Sequence, residues 1–205
     1  MIRVVDLVLS FLGLILLSPL FLLIAIFIAA DSKGGIFFLQ KRVGKGNLDF
    51  KLFKFRTMRG DAERGGSLTI GTNDKRITRT GLLLRKYKLD ELPQLINVLA
   101  GDMSMVGPRP EVRKYVELYS EEQRKVLVVK PGITDYASIE YMNENELLER
   151  SRDPEKTYIE QVMPAKLELN LKYLQNPGLK NYFIIIGKTI AGVFFIRQRR
   201  KDAKE

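Results

Sequence analysis

Leu7-Val8-Leu9-Ser10-Phe11-Leu12-Gly13-Leu14-Ile15-Leu16-Leu17-Ser18-Pro19-Leu20-Phe21-Leu22-Leu23-Ile24-Ala25-Ile26-Phe27-Ile28-Ala29-Ala30 runs for 24 residues without a charge, and Asp6 and Asp31 bracket it. As a helix it covers roughly 36 Å, enough for a hydrocarbon core of about 30 Å, so it is read as a membrane segment. It exceeds the h-region of a cleavable signal, and Ala29-Ala30 meets Asp31 with no small-x-small site. Pro19 cannot donate to the carbonyl of Ile15 and should kink the helix, while the Ser18 hydroxyl can serve the freed group. A kinked single span and a helix-break-helix hairpin returning to the same face both fit. Arg3 precedes the segment, and Lys33, Lys41, Arg42, Lys45, Lys51, Lys54, Arg56 and Arg59 follow it. That bias puts the body in the cytoplasm.

The remaining chain is basic. Of 205 residues, 34 are Lys or Arg and 24 are Asp or Glu, a net charge of +10 that suits anionic partners such as phosphates, nucleic acid or acidic lipid. Cysteine and histidine are absent, which rules out disulfides, thiolate nucleophiles, zinc-finger sites and imidazole bases within the chain. Its chemistry must use carboxylates, Lys, Arg, Tyr and Ser/Thr.

Beyond the apolar run, residues 36–40 and 50–55 read as two short strands joined by a Gly/Asn turn. Residues 59–80 are loop-like. Residues 82–100 return to helical spacing, broken near Asp90 to Pro93, which predicts two helices meeting there. A loop over 101–110, one helix over 111–128, a turn at Pro131-Gly132 and helices over 143–150 and 157–174 follow, and Asn176-Pro177-Gly178 stops the chain. Residues 182–196 are too short for a comfortable span and predict an interfacial or core-packed helix with a basic tail. The expected class is a mostly helical α+β protein, with a membrane segment over 1–32, either a single span or a helix-break-helix, and a domain with one short hairpin over 33–205.

The densest polar signal is Arg85-Lys86-Tyr87-Lys88-Leu89-Asp90-Glu91-Leu92-Pro93-Gln94. Asp-Glu before a helical proline is a common cap, favoured by the helix dipole without any chemistry. The same physics would hold a carboxylate ionised beside Arg85, ready to act as a nucleophile or a ligand for Mg²⁺ or Mn²⁺ through oxygen. Pro108 and Pro110 preset the backbone of Arg109, so its guanidinium can grip a phosphate at low entropic cost, though a structural role suits it equally. Lys54 and Arg56 add cations.

Taken in order, several pieces resemble one family: the Ser18-Pro19 break, Ile36-Phe37-Phe38-Leu39-Gln40-Lys41-Arg42-Val43-Gly44, Lys54-Phe55-Arg56-Thr57-Met58, residues 89–99, Gly101-Asp102-Met103-Ser104-Met105-Val106-Gly107-Pro108-Arg109-Pro110-Glu111 and Lys130-Pro131-Gly132-Ile133-Thr134. Together they are similar to the monotopic phosphoglycosyl transferases, bacterial sugar transferases that begin glycan assembly on a polyprenyl phosphate carrier. The resemblance implies a re-entrant helix turned at Ser18-Pro19 and a catalytic domain on the cytoplasmic leaflet of the bacterial inner membrane. It implies Asp90 as nucleophile, Glu91 as the Mg²⁺-associated carboxylate, and Arg85 and Arg109 as phosphate-binding arginines, with Lys54 and Arg56 as further phosphate contacts. The implied substrates are a UDP-sugar and undecaprenyl phosphate, and the products are UMP and a polyprenyl diphosphosugar formed through a phosphosugar-aspartyl intermediate. A homodimer is compatible with the sequence.

The chain departs from the family pattern at Asp135-Tyr136, where many members continue with glycine and tryptophan, and across residues 137–145. Asn170 stands ahead of Tyr173 where many carry an aspartate. These departures touch sugar choice rather than the nucleophile, and the chain reads as the minimal catalytic form. The competing reading is a non-enzymatic basic module at the membrane that binds acidic lipid or nucleic acid. A nucleic-acid surface normally shows a recognisable motif, and here the cations cluster around a carboxylate pair that would repel a polyanion.

Overall fold

The computed structural model describes residues 1–59, 74 and 76–202. Most of the loop expected over 59–80 lies outside them. Helix makes up 62% of the structure, and the strands described form two separate pairs, which is the mostly helical α+β class expected.

The first helix, α1, spans Ile2–Asp31 with Pro19 inside it. The break expected at Ser18-Pro19 is therefore not a break in secondary structure. Pro19 deprives the Ile15 carbonyl of its usual donor, and Ser18 Oγ donates to that carbonyl at 2.8 Å, so no bare polar group forces the helix to end. Among the described residues α1 is the one helix long and apolar enough to cross a membrane.

Both ends of α1 are tied to the same body. Near its start, Arg3 donates to the carbonyls of Val98 at 2.6 Å and Leu99 at 3.1 Å. Buried Asp6 accepts from Ser104 Oγ at 3.0 Å, Met105 N–H at 2.9 Å and Tyr182 Oη at 2.7 Å. At its end, Asp31 accepts from Thr80 N–H at 2.6 Å. Between them Gly13 lies against Leu95, and Ile24 and Ile28 pack with Phe55 and Leu84. Away from the body the helix exposes Val8, Phe11, Leu12, Ile15, Leu16, Leu22, Leu23, Ile26 and Phe27, an apolar surface that water would not favour.

The predicted hairpin is present and longer than expected. Strands β1 (Phe37–Val43) and β2 (Asp49–Phe55) pair antiparallel, with Phe37 opposite Phe55 and Val43 opposite Asp49. The turn between them places Gly46 and Asn47 at positive φ, where glycine and asparagine are the residues best tolerated. Helices α2 (Arg79–Lys86) and α3 (Gln94–Ala100) meet around Asp90 as predicted. Fully buried Asn97 joins α3 to β2, accepting from Phe53 N–H at 2.9 Å and donating to the Lys51 carbonyl at 2.7 Å.

Three expectations give way. The loop over 101–110 and the turn at 131–132 contain β3 (Ser104–Val106) and β4 (Gly132–Thr134), which pair in parallel and are too short to show alternation. The helix expected over 111–128 is two short ones, α4 (Arg113–Val116) and α5 (Glu121–Arg124), followed by a 3-10 turn. Ser120 forms a capping box with Gln123, so a fresh helix starts inside the stretch. A short helix, α6 (Tyr136–Glu140), begins at Asp135 where none was expected.

Helices α7 (Glu144–Glu149), α8 (Pro154–Thr157) and α9 (Met163–Gln175) follow, with a π-helical segment between α8 and α9. Val43, Tyr115, Val116, Tyr158 and Leu167 are among the residues of the largest core. The final helix, α10 (Leu179–Asp202), is core-packed at its start: Tyr182 and Ile185 are fully buried beside Ile2, Val5 and Leu9 of α1.

Candidate active site

Asp90 lies in a 3-10 turn, Leu89–Glu91, between α2 and α3. The chain enters it through Lys88 at φ 57, a left-handed conformation uncommon for a lysine and a local cost near 1–2 kcal/mol. On either side of the carboxyl, Leu89 and Leu92 pack against the cluster of Ile24, Ile28, Phe55 and Leu84. The site carboxylates are thus fixed directly onto the apolar helix.

Asp90 is buried, and its Oδ1 has no hydrogen-bond partner among the described residues. Burial, reinforced by the neighbouring Glu91 carboxylate, pushes its carboxyl above the usual aspartate value, against the pull of Lys54 and Arg85. An unpartnered buried carboxylate oxygen is costly, which makes Asp90 a candidate functional group.

Glu91 stands in the opposite condition. Burial works against its ionisation, but Arg109 and Lys54 outweigh that and hold it well below the ordinary glutamate value. Lys54 Nζ donates to Glu91 Oε1 at 3.0 Å, and the Arg109 guanidinium donates to the same oxygen. Burial lowers the Lys54 ammonium from its ordinary value, and Glu91 opposes that shift. Arg109 is raised, first by Glu91.

The backbone places each cation. Gly81 lets α2 approach the hairpin: a Cβ there would lie 2.1 Å from the Thr57 carbonyl oxygen. That close approach lets Arg85 Nε donate to Thr57 Oγ1 at 2.9 Å, with Asp90 close enough to favour its charge against burial. Arg109 sits in a stapled turn. Gly132 N–H donates to the Pro108 carbonyl at 3.0 Å, and Arg42 donates to the Pro110 carbonyl at 3.2 Å.

The structure therefore brings Lys54, Arg85, Asp90, Glu91 and Arg109 together. Arg56 is engaged elsewhere: its guanidinium donates to the Ser32 carbonyl at 2.7 Å and to Ser32 Oγ at 3.0 Å, clamping the segment just after α1. Ser18 and Pro19 lie within α1 and carry no site group. Sequence reading missed Asp135, which is fully buried and accepts from Arg109 N–H at 3.2 Å. Its sequence signals are its departure from the family pattern and the frequency with which aspartate caps a helix.

No cluster of three or more Asp or Glu that could cage a metal occurs among the described residues. The donors present are all carboxylate oxygens, of which Asp90 Oδ1 is unpartnered. That set suits a hard cation such as Mg²⁺ that keeps water and arrives with phosphate oxygens rather than one held by the protein alone.

Two neighbouring carboxyls, three cations and an attached apolar helix are thus brought together in one place. The chain matches the family model described as bacterial sugar transferase over residues 1–196, and it belongs to that family. It is 38% identical over 191 residues to the UDP-N-acetylgalactosamine-undecaprenyl-phosphate N-acetylgalactosaminephosphotransferase of Aeromonas hydrophila, covering 92% of this chain and 42% of that protein. It is 33% identical over 210 residues to the exopolysaccharide production protein ExoY of Sinorhizobium fredii, covering 95% of this chain and 86% of the relative. It is also 38% identical over 178 residues, 84% of this chain and 36% of the relative, to the UDP-glucose:undecaprenyl-phosphate glucose-1-phosphate transferase of Escherichia coli. The chain thus spans less than half the length of two of these relatives.

Proposed function

We propose that this protein transfers a sugar 1-phosphate from a UDP-sugar to undecaprenyl phosphate on the cytoplasmic face of the bacterial inner membrane, releasing UMP. The observation that carries the reading is the unpartnered, buried Oδ1 of Asp90 beside Lys54 and Arg85, with Arg109 held on the adjacent Glu91. In the first step that oxygen attacks the sugar-bearing phosphorus, the bond to the UMP oxygen breaks, and an aspartyl phosphosugar forms. In the second, an oxygen of the lipid phosphate attacks the same phosphorus and Asp90 leaves as carboxylate. Arg85 and Arg109 meet the negative charge on the phosphoryl oxygens. Glu91 fixes Arg109 and Lys54 in place before substrate arrives. Asp90, Glu91 and the substrate phosphates would hold a Mg²⁺ ion, which supplies Lewis-acid stabilisation of the leaving phosphate.

The tied helix supports the location. A lipid-tethered phosphate can be attacked only by a group near the headgroup plane, and the residues flanking Asp90 pack against α1. Both ends of α1 are bonded to one body, which supports a helix that enters and leaves the bilayer on the same side. The non-enzymatic module is disfavoured because so many cations are already engaged: Lys54 and Arg109 on Glu91, Arg42 on Glu111, Arg113 on Asp49.

Incubation with labelled UDP-sugar and no lipid acceptor should leave label on Asp90 with one equivalent of UMP released. Turnover with lipid present but no adduct would instead favour direct transfer in a ternary complex. The acid limb of kcat/KM checks the protonation state. Because burial raises Asp90, activity should fall as pH drops through a midpoint above the usual aspartate value of about 3.9. Glu91, held low, stays ionised across that window. A midpoint at or below the ordinary value would contradict the assignment of Asp90 as the group that must ionise.

A further inference from the structure

We propose that Asp135 is a positioning residue for the transfer reaction: its buried carboxylate sets the backbone of Arg109 and so the place from which that guanidinium meets the substrate phosphate. The inference rests on the reading of Arg109 as a phosphate-binding group. Asp135 has no exposed surface, and its two oxygens divide their labour. Oδ1 accepts from Ser138 N–H at 2.6 Å and caps α6. Oδ2 accepts from the backbone N–H of Arg109 at 3.2 Å. A helix cap requires only the first of these bonds, and serine provides it as well as aspartate does. The second bond is made to the residue whose side chain reaches Glu91.

The neighbouring contacts point the same way. Thr134, one residue earlier, accepts from Gly107 N–H at 3.0 Å, and Gly132 N–H reaches the Pro108 carbonyl at 3.0 Å. Three consecutive residues, 107 to 109, are therefore each fixed to the 132–135 segment, and Asp135 supplies the hold on the third. Arg109 is bracketed by carboxylates, with Glu91 at its guanidinium and Asp135 at its amide. An incoming phosphate competes for the guanidinium, while the grip at the amide persists.

The test uses the full chain in lipid nanodiscs. Asp135→Ser keeps an oxygen for Ser138 N–H and ends short of Arg109. Asp135→Asn keeps the shape but turns an amide NH₂ toward one of the two N–H groups. Each leaves one N–H without its acceptor, so both should fold, and unfold a few degrees below the wild type. Asp135→Ser should weaken UDP binding, read by calorimetry, and lower kcat/KM for whichever UDP-sugar the wild type uses, each roughly 10-fold or more, the loss of one hydrogen bond to a charged group. Combined with Arg109→Lys it should cost little beyond Arg109→Lys alone, because both act through one guanidinium. Losses that multiply, or an Asp135→Ser variant that binds UDP and turns over like the wild type, would overturn the proposal. If Asp135→Ser fails to fold, the same comparison on Asp135→Asn decides. A wild type that neither binds UDP nor releases UMP would instead overturn the transferase reading itself.

Discussion

Asp90→Asn should release no measurable UMP, a loss of at least about 10³-fold, while unfolding at a temperature within about 2 °C of the wild type. The two halves of that result have one cause. Asp90 Oδ1 makes no hydrogen bond among the described residues, so replacing the carboxylate removes no bond from that oxygen. Burial and the adjacent Glu91 already disfavour the charge, and neutralising it offsets the lost attraction to Lys54 and Arg85. Steady-state UMP release paired with a thermal melt measures both. Activity near wild type would move the nucleophile elsewhere. The next carboxylate to test, Asp102, is exposed and accepts from Asn97 Nδ2 at 3.2 Å.

Glu91→Gln should fail differently, losing both activity and stability. It leaves Lys54 and Arg109 without the carboxylate they share, and that oxygen accepts from both. Breaking a fully buried pair costs about 3–5 kcal/mol. Arg109 keeps 34% of its side chain exposed and Lys54 17%, so about 2 kcal/mol is the better expectation. For a chain of this size that lowers the melting temperature by roughly 4–8 °C. Transfer should fall roughly 10²-fold or more as the cations lose their fixed geometry. A variant that keeps its melting temperature but loses turnover would show Glu91 acting on substrate or metal alone rather than as the counter-ion of the site. The sign with pH follows from the depressed value of Glu91. Its stabilisation is present above the unfolded glutamate value of about 4.3 and is lost as the solution is acidified through the lower folded value.

Much of this was legible in the sequence because the informative patterns were long or chemically unusual. A 24-residue run without charge, a strand pair rich in Phe and Lys, and a helix pair interrupted at Asp90 to Pro93 all appear where residue type predicts them. Lys54 and Arg109, far from this turn in the chain, both reach Glu91, while Arg85 acts on the adjacent Asp90 from five residues away. The failures are local and have physical reasons. Pairing over three residues, as in β3 and β4, leaves no periodicity to read. Ser120 reads as an ordinary surface serine unless its reciprocal bonds with Gln123 are seen. Ser18 rescues the carbonyl that Pro19 orphans, so a residue pair that reads as a break carries the helix through. Arg56 matches a motif whose cations face phosphate, yet Ser32 lies within its reach and takes the guanidinium.

The bond between Asp6 and Tyr182 joins residues 176 apart, and that separation imposes an order on the protein's birth. At ordinary rates of synthesis, about 5–20 residues per second, the ribosome needs roughly 10–35 s after delivering Asp6 to deliver its phenol partner. Ser104, Met105 and the carbonyls that receive Arg3 also emerge late, some 95–99 residues behind their partners. Throughout that interval the nascent apolar segment is already seeking lipid while its leading charges have nothing to bind. Its final seating is therefore settled near the end of translation, and a chain stalled before the last helix would leave that aspartate at the bilayer edge without the phenol that the finished fold provides.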